Sequence, residues 1–466
     1  MSTAPAAVAR STFWTVDRVA DALAGLSPVN LPRGSTVFGR VWTDTRTIEP
    51  GDLFVALVGE RFDAHDFLED AVAKGATGLV LSRVERARGL GVPVCHVRDT
   101  LVALGALGTY RRRVWGRPVV AVVGTNGKTS TKELVRAALG SRLEVHATTG
   151  NLNNLIGVPL TLLAIPDDAD VAVVEMGTNQ PGEIPRLRAI VEPSLTVVTC
   201  VAEEHLEGLG DLAGVLREEL AATEGVPVAV VPAAQPDVVD AARARAKRVI
   251  AAGVSAGDFQ PSAWNIDSDG RGRLTVHDVD IHLPLRGAHN VRNAMLALGV
   301  ARELGVSIAD AGRGIEAMTP PPMRVNWERH GALTLINDAY NSNPGSARAA
   351  LELLAQSGAG RQRVAVLGTM LELGRETPRL HDEVAGAALA SGIELVAAIG
   401  EFASTLGRIA PDDPRVITAD DVDALWTKLS PRLAPDAVIL LKGSRGMRLE
   451  RMVGPITDWA TRDTRS

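Results

Sequence analysis

Only two cysteines occur in 466 residues, Cys95 and Cys200, far apart and without the spacing of a metal cluster. That excludes a disulfide framework as the source of stability and suits a reducing, cytoplasmic compartment. Aromatic residues are scarce at 3%, which leaves few stacking platforms, and a net charge of −6 gives no electrostatic reason to bind nucleic acid. No uninterrupted apolar run is long enough to cross a bilayer. The alanine-rich stretch 1–26 carries Arg10, Asp17, Arg18 and Asp21, so it reads as mature sequence rather than a leader. Lysine is rare as well: it stands only at 74, 128, 132, 247, 428 and 442, with arginine supplying nearly every other cation. What is there, 46% hydrophobic and 22% charged residues, is the balance of a globular protein. At roughly 150 residues per domain the length implies about three domains.

The stretch 119–132 carries the strongest chemical signal. Val119-Val120-Ala121-Val122-Val123 reads as a buried strand, and the run 130–139 reads as a helix. Between them stands Gly124-Thr125-Asn126-Gly127-Lys128-Thr129-Ser130. A glycine turn between strand and helix aims backbone N–H groups and the positive end of the helix dipole at an anion, which makes this a phosphate loop. Lys128 adds a compact, mobile cation, and Thr129 adds a hydroxyl suited to a phosphate-bound magnesium. The general pattern G-x-x-x-x-G-K-[ST] asks for glycine at position 122, where this chain has Val122.

Around that loop the chain reads as α/β in three domains. Residues 1–114 form a small N-terminal α/β domain: a Pro50-Gly51 turn feeds a strand at 53–57, a helix over 68–74 closes at Gly75, and a strand follows at 78–81. Residues 115–319 form a central phosphate-loop domain with a mainly parallel sheet, from strands at 119–123, 171–175, 195–200 and 228–231. Within it the polar segment 262–280 is expected to hold a small antiparallel excursion. Prolines 320–322 mark the second boundary. Residues 320–466 form a doubly wound, Rossmann-like domain, with strands at 334–336, 364–367, 395–399, 416–417 and 438–441.

Glu175 is expected to end the second apolar strand of the central domain. A carboxylate at the carboxyl end of a parallel strand beside a phosphate loop is placed to hold magnesium. Glu203-Glu204-His205-Leu206-Glu207-Gly208 falls at the equivalent edge after the next strand, where His205 can ligate a divalent ion or bond a phosphate.

G-T-N-G-K-T-S at 124–130, G-N-L-N-N at 150–154, E-M-G at 175–177, E-x-H-L-E-G at 203–208, H-N-V-R-N-A at 289–294, D-A-Y-N-S-N-P at 338–344 and K-G-S-R at 442–445 occur in one order. Together with D-T-R-T-I-E-P-G-D-L-F-V-A-L at 44–57, they resemble the Mur ligases of peptidoglycan synthesis over nearly the whole chain, in particular the MurF branch. The resemblance implies an N-terminal domain for a UDP-sugar peptide, a central ATPase, and a C-terminal domain that closes over ATP and receives the incoming amine. It implies the partners UDP-N-acetylmuramoyl-tripeptide and D-alanyl-D-alanine and the cofactors ATP and Mg2+; a monomer is expected. A peptide carboxylate attacks the γ-phosphate of ATP, and the amine then displaces phosphate from the acyl phosphate. Two other readings are a folylpolyglutamate-synthetase-like ligase and a P-loop ATPase switch without ligase activity.

Residue by residue, the resemblance assigns Thr45 and Arg46 to the uridine nucleotide, and Thr149, Asn151 and Asn154 to the substrate side of the central domain. It assigns Gly124, Thr125, Asn126, Gly127, Lys128, Thr129 and Ser130 to the phosphates. His289 and Asn290 go to the adenine, Arg324, Asp338, Tyr340 and Asn343 to ATP from the closing domain, and Lys442 and Ser444 to substrate. Thr129 and Glu175 are implied for one magnesium and His205 for a second, with Lys128, Glu175, His205 and Glu219 carrying the chemistry. Many family members bear a carbamylated lysine shortly after the histidine motif. The matching place here is Glu219, which is expected to supply permanently the negative charge that the carbamate supplies elsewhere.

Overall fold

The computed structural model describes residues 13–463 except 322 and 359, so Arg10 and the last proline of the 320–322 run lie outside the described residues. Contacts divide the chain into two compact units. One gathers the residues up to Val119 with His146–Met176 and Pro185–Pro193; the other gathers Val120–Val145, Gly177–Ile184 and the rest of the chain from Ser194.

In the first unit a parallel sheet runs in the order Val41–Trp42, Leu53–Val55, Gly78–Leu81, Val94–His96. Its central strands are buried along their whole length, which is why they read as continuous apolar runs. Side chains alternate between two cores: Leu53, Val55 and Val80 pack with Leu104 and Leu107 on one face, while Phe54, Leu79 and Leu81 pack with Leu68 on the other. Helix Thr100–Trp115 covers the first face. Asp99 caps its first turn, and Gly116 ends it at φ +73°.

In the second unit parallel strands follow in the order Val249–Ala252, Val228–Pro232, Leu195–Val198, Val119–Val123, the last pairing through Val120 to Val123. The antiparallel excursion is present as Ala263–Ile266, Arg271–Val276 and Val279–Arg286. Further along, a six-stranded sheet has the order Asn326–His330, Leu333–Asp338, Val438–Lys442, Arg363–Leu367, Leu395–Ala398, Val416–Thr418. Only the edge strand Asn326–His330 is antiparallel. The last strand of the chain is inserted between the first two parallel ones, which brings the carboxyl ends at Asp338, Lys442 and Leu367 side by side. Ligands of doubly wound sheets gather at such ends.

Some details differ from the sequence expectation: the strands expected at 53–57 and 395–399 stop at Val55 and Ala398. Glu175 ends the second apolar strand as expected, and ahead of that strand lies an unexpected short one, Val145–Ala147. It is half-buried and interrupted by His146, so it leaves no apolar run to read. The strand expected to reach Cys200 stops at Val198, because Thr199 and Cys200 turn in to hold the phosphate loop.

Candidate active site

The phosphate loop is fixed by its neighbours in the second unit. Thr125 N donates to Cys200 O at 2.9 Å, and Thr199 Oγ1 donates to Asn126 O at 2.6 Å. Helix Lys128–Leu139 starts directly after Gly127, which stands at φ +77°. A Cβ on Gly127 would sit 2.9 Å from Asn293 Nδ2, and one on Gly124, at φ +119°, would sit 2.3 Å from Thr199 Oγ1. Both glycines are therefore required by crowding as well as by dihedral angle. Lys128 Nζ donates to Gly124 O at 2.5 Å and Thr125 O at 3.3 Å, folding the ammonium over the loop. Thr129 and Ser130 occupy the first turn of the helix behind it.

Glu204 faces that ammonium, with Oε2 3.8 Å from Lys128 Nζ. The residue is 6% exposed, and Oε2 is buried without a hydrogen-bond partner. His205 follows at φ +52°, its Nδ1 paired with Glu372 Oε2 and its Nε2 3.8 Å from Glu204 Oε1. Glu204 and His205, with Ser342, Asn343, Ser444 and Arg445, line a cavity of about 200 Å³. Ser342 Oγ is likewise buried and unpartnered.

Of the adjacent carboxylates on helix Leu212–Leu220, Glu218 accepts from Gly182 N and Ile184 N, whereas Glu219 Oε2 accepts from Gly124 N at 2.8 Å. Burial pushes the Glu219 carboxyl up to about 7, opposed by Lys128 and the Gly124 N–H and reinforced by Glu204 and Glu218. Its charge therefore depends on what else occupies the site. The consequence for stability has a definite sign. Between about pH 4.5 and 7 the unfolded chain has lost this proton and the folded chain retains it, so stability falls as pH rises through that window. We expect Glu219→Gln, measured by urea unfolding without nucleotide or metal, to gain on the parent by about 3 kcal/mol from pH 5 to pH 8. Equal slopes with pH in the two proteins would refute it.

Of the remaining assigned residues of this unit, Asp338 and Lys442 end strands, and His289 and Asn290 open helix Ala288–Glu303. Arg324 stacks over the Tyr340 ring at 4.4 Å, and Arg445 lies 5.5 Å from the same ring. Asp338 Oδ2 is 2.8 Å from Lys442 Nζ, which also donates to Asn341 O at 2.7 Å. Lys442, read from sequence as a substrate contact, thus directs its ammonium to strand-end groups of its own sheet. Asn343 caps helix Pro344–Gln356 in a reciprocal pair with Ser346. His289 is held down to about 4 by burial, helped by Arg292 and Lys442 and opposed by Asp338, so its imidazole is neutral near pH 7. Asn290 Nδ2 donates to Arg286 O, and its Oδ1 accepts from Asn293 Nδ2.

In the first unit, Glu175 is buried at its strand end. Its N–H donates to Thr148 Oγ1 at 2.9 Å, Oε1 accepts from Asn153 Nδ2 at 2.9 Å, and Oε2 is buried and unpartnered. Asn154 Oδ1 instead accepts from Ile156 N and Gly157 N in the turn that leads into helix Gly157–Leu163. Thr149 and Asn151 accept backbone bonds from Leu152 and Asn153 in the same turn. Thr45 and Arg46 lie in the short helix Thr45–Thr47, where the exposed Arg46 pairs with Asp44 at 2.6 Å.

Sequence reasoning missed Asn153, Glu204, Glu372 and Arg445. Three stood inside the quoted motifs, one position from a chosen residue; Glu372 carried no signal, 167 residues from its partner. Among the described residues no group of three or more His, Cys, Asp or Glu side chains forms a metal cage. The donors fit magnesium nonetheless, since it is usually held by one or two carboxylates with phosphate oxygens and water, and Glu175 and Glu204 each keep an orphan oxygen.

Residues 122–301 match the family model of the Mur ligase middle domain, and residues 323–445 match that of the Mur ligase glutamate ligase domain. The UDP-N-acetylmuramoyl-tripeptide--D-alanyl-D-alanine ligase of Escherichia coli (strain K12) is 34% identical over 459 residues, covering 96% of this chain and 99% of that relative. The chain belongs to the Mur ligase family. The enzyme of the same name from Bacillus subtilis (strain 168) is 32% identical to this Mur ligase over 448 residues, 94% of this chain and 97% of its own. The crystal structure of MurF from Acinetobacter baumannii superposes with a TM-score of 0.86 at 30% identity, covering 96% of this Mur ligase and 99% of that chain. The short phosphate loop with Val122 is thus compatible with full-length membership of the family.

Proposed function

We propose that this chain is the ATP-dependent ligase that joins D-alanyl-D-alanine to UDP-N-acetylmuramoyl-tripeptide through an acyl phosphate, releasing ADP and phosphate. The observation that carries the reading is the likeness to the Escherichia coli ligase from end to end, including the residues ahead of the phosphate loop. A folylpolyglutamate-synthetase-like enzyme would have no need of that leading uridine-nucleotide part. Residues 1–114 take the UDP-sugar peptide through Thr45 and Arg46, residues 115–319 take ATP, and residues 320–466 close over it. The enzyme works as a monomer in the cytoplasm. Among the described residues no helix is long and apolar enough to cross a membrane.

Reaction between a carboxylate and a triphosphate requires that charge on the transferred oxygens be met by fixed donors. The loop N–H groups and Lys128 do this, with the Lys128 ammonium already folded over the loop. Thr129 and Glu175 are the residues for one magnesium and His205 for a second, with Glu219 beside the loop. Bound magnesium would neutralise the phosphates and polarise the transferred group. Asn153 holds the Glu175 carboxylate through Oε1, and Thr148 holds the backbone beneath it through the Glu175 N–H.

The incoming dipeptide takes the cavity beside Glu204, Ser444 and Arg445, with its carboxylate against the Arg445 guanidinium. We expect Arg445→Ala to raise KM for D-alanyl-D-alanine by about tenfold and to leave KM for UDP-tripeptide unchanged, since one charge-assisted hydrogen bond is lost. An unchanged KM for the dipeptide would remove Arg445 from the site. The reading as a whole is tested by phosphate release. A ligase needs both UDP-tripeptide and dipeptide before phosphate appears, with a product of the summed mass less water; a switch ATPase turns over without either.

A further inference from the structure

The segment 203–207 is fastened to the segment 372–379 at several points. His205 Nδ1 pairs with Glu372 Oε2, Glu207 N donates to Glu372 O at 3.1 Å, and Arg379 Nη2 reaches Glu203 Oε1 at 3.1 Å. Gly374 lies so close that a Cβ there would stand 3.2 Å from Glu207 Cα. The two paired side chains are both mounted on left-handed backbone, His205 at φ +52° and Glu372 at φ +64°. Residues other than glycine rarely adopt that conformation, and two meeting in one hydrogen bond mark a contact that the surrounding structure enforces.

An imidazole has two nitrogens, and the partner of one decides what the other can do. Here Nδ1 is committed to a carboxylate. Nε2 is turned to the side where Glu204 Oε1 lies 3.8 Å away, on the wall of the cavity beside the phosphate loop. We propose that Glu372 is a positioning residue: in the neutral imidazole its carboxylate keeps the proton on His205 Nδ1, so that the Nε2 lone pair points into the cavity and is available to a divalent cation. This rests on the reading of His205 as a metal ligand. It goes beyond that reading by placing the carboxylate that orients the ligand on a distant segment of the chain. The ligand is then correctly presented only while the segments 203–207 and 372–379 are together, and assembly of the metal site becomes conditional on their contact.

The test separates the tautomer from the metal. Protein labelled with 15N-histidine, free of metal, is compared by long-range 1H–15N correlation, with His205→Gln identifying the signal. The parent and Glu372→Gln, which keeps an acceptor oxygen, are expected to carry the proton on Nδ1. Glu372→Ala is expected to move it to Nε2 and to weaken Mn2+ binding in the presence of an ATP analogue by about 10–100-fold. Arg379→Ala, which removes a separate tie to Glu203 and leaves the His205–Glu372 pair in place, is expected to leave the tautomer unchanged. A Glu372→Ala protein that retains the Nδ1–H tautomer overturns the proposal. If the tautomer moves as stated but His205→Gln binds Mn2+ as tightly as the parent, the positioning role stands, and the reading of His205 as a metal ligand is what fails.

Discussion

Gly124→Ala is expected to destabilise the second unit by about 4 kcal/mol and to abolish binding of an ATP analogue. Two costs add. Alanine at φ +119° is strained wherever it occurs, and the new methyl would meet Thr199 Oγ1 at 2.3 Å, Cys200 O at 2.8 Å and Cys200 N at 3.0 Å. Neither neighbour can give way cheaply, because Thr199 is bonded to Asn126 O and Val123 O, and Cys200 O accepts Thr125 N–H. Any relief moves the loop N–H groups from the place where they meet phosphate. Gly150→Ala is the control. Its φ is +60° with nothing within 4 Å, so only the dihedral cost of about 1 kcal/mol remains. Denaturant midpoints and calorimetric titration with the analogue decide the matter; a Gly124→Ala protein as stable as Gly150→Ala, or one that still binds nucleotide, contradicts it.

Much of this was legible because the strands of doubly wound sheets are apolar on both faces. Val119–Val123, Val171–Glu175 and Val438–Lys442 are buried throughout and read as apolar runs; the first leads straight into the phosphate loop, and the other two end in Glu175 and Lys442. The loop was legible for a different reason: crowding against Thr199 and Asn293 leaves glycine no substitute, so composition records geometry. What the sequence could not disclose is the choice among neighbours of like chemistry. Asn153 and Asn154 are adjacent amides, yet one steadies Glu175 and the other holds the turn into a helix. Glu218 and Glu219 divide in the same way between a helix start and the phosphate loop. Pairs distant in sequence, such as His205 with Glu372, leave no local pattern at all, since neither residue type is unusual where it stands.

Asp338 and Lys442 give the other large effect, and here stability and activity can be separated. They are cross-strand partners in the parallel pairing of Leu333–Asp338 with Val438–Lys442, 2.8 Å apart, with side chains 12% and 3% exposed. Asp338→Ala leaves a buried ammonium with one neutral acceptor, Asn341 O, and is expected to cost about 4 kcal/mol. Val325 N also loses its acceptor, Asp338 Oδ1. Removing both charges as Asp338→Leu with Lys442→Met takes away the desolvation penalty together with the attraction, and should restore most of the stability in denaturant titration. If the pair only holds two strands together, the double variant recovers turnover along with its fold. If Asp338 and Lys442 also face nucleotide and substrate, as the family resemblance implies, it folds and does not turn over. The single variant cannot make that distinction, because it loses fold and site at once. A double variant no more stable than Asp338→Ala would show that the strand ends depend on the ion pair itself rather than on relief from an unpaired charge.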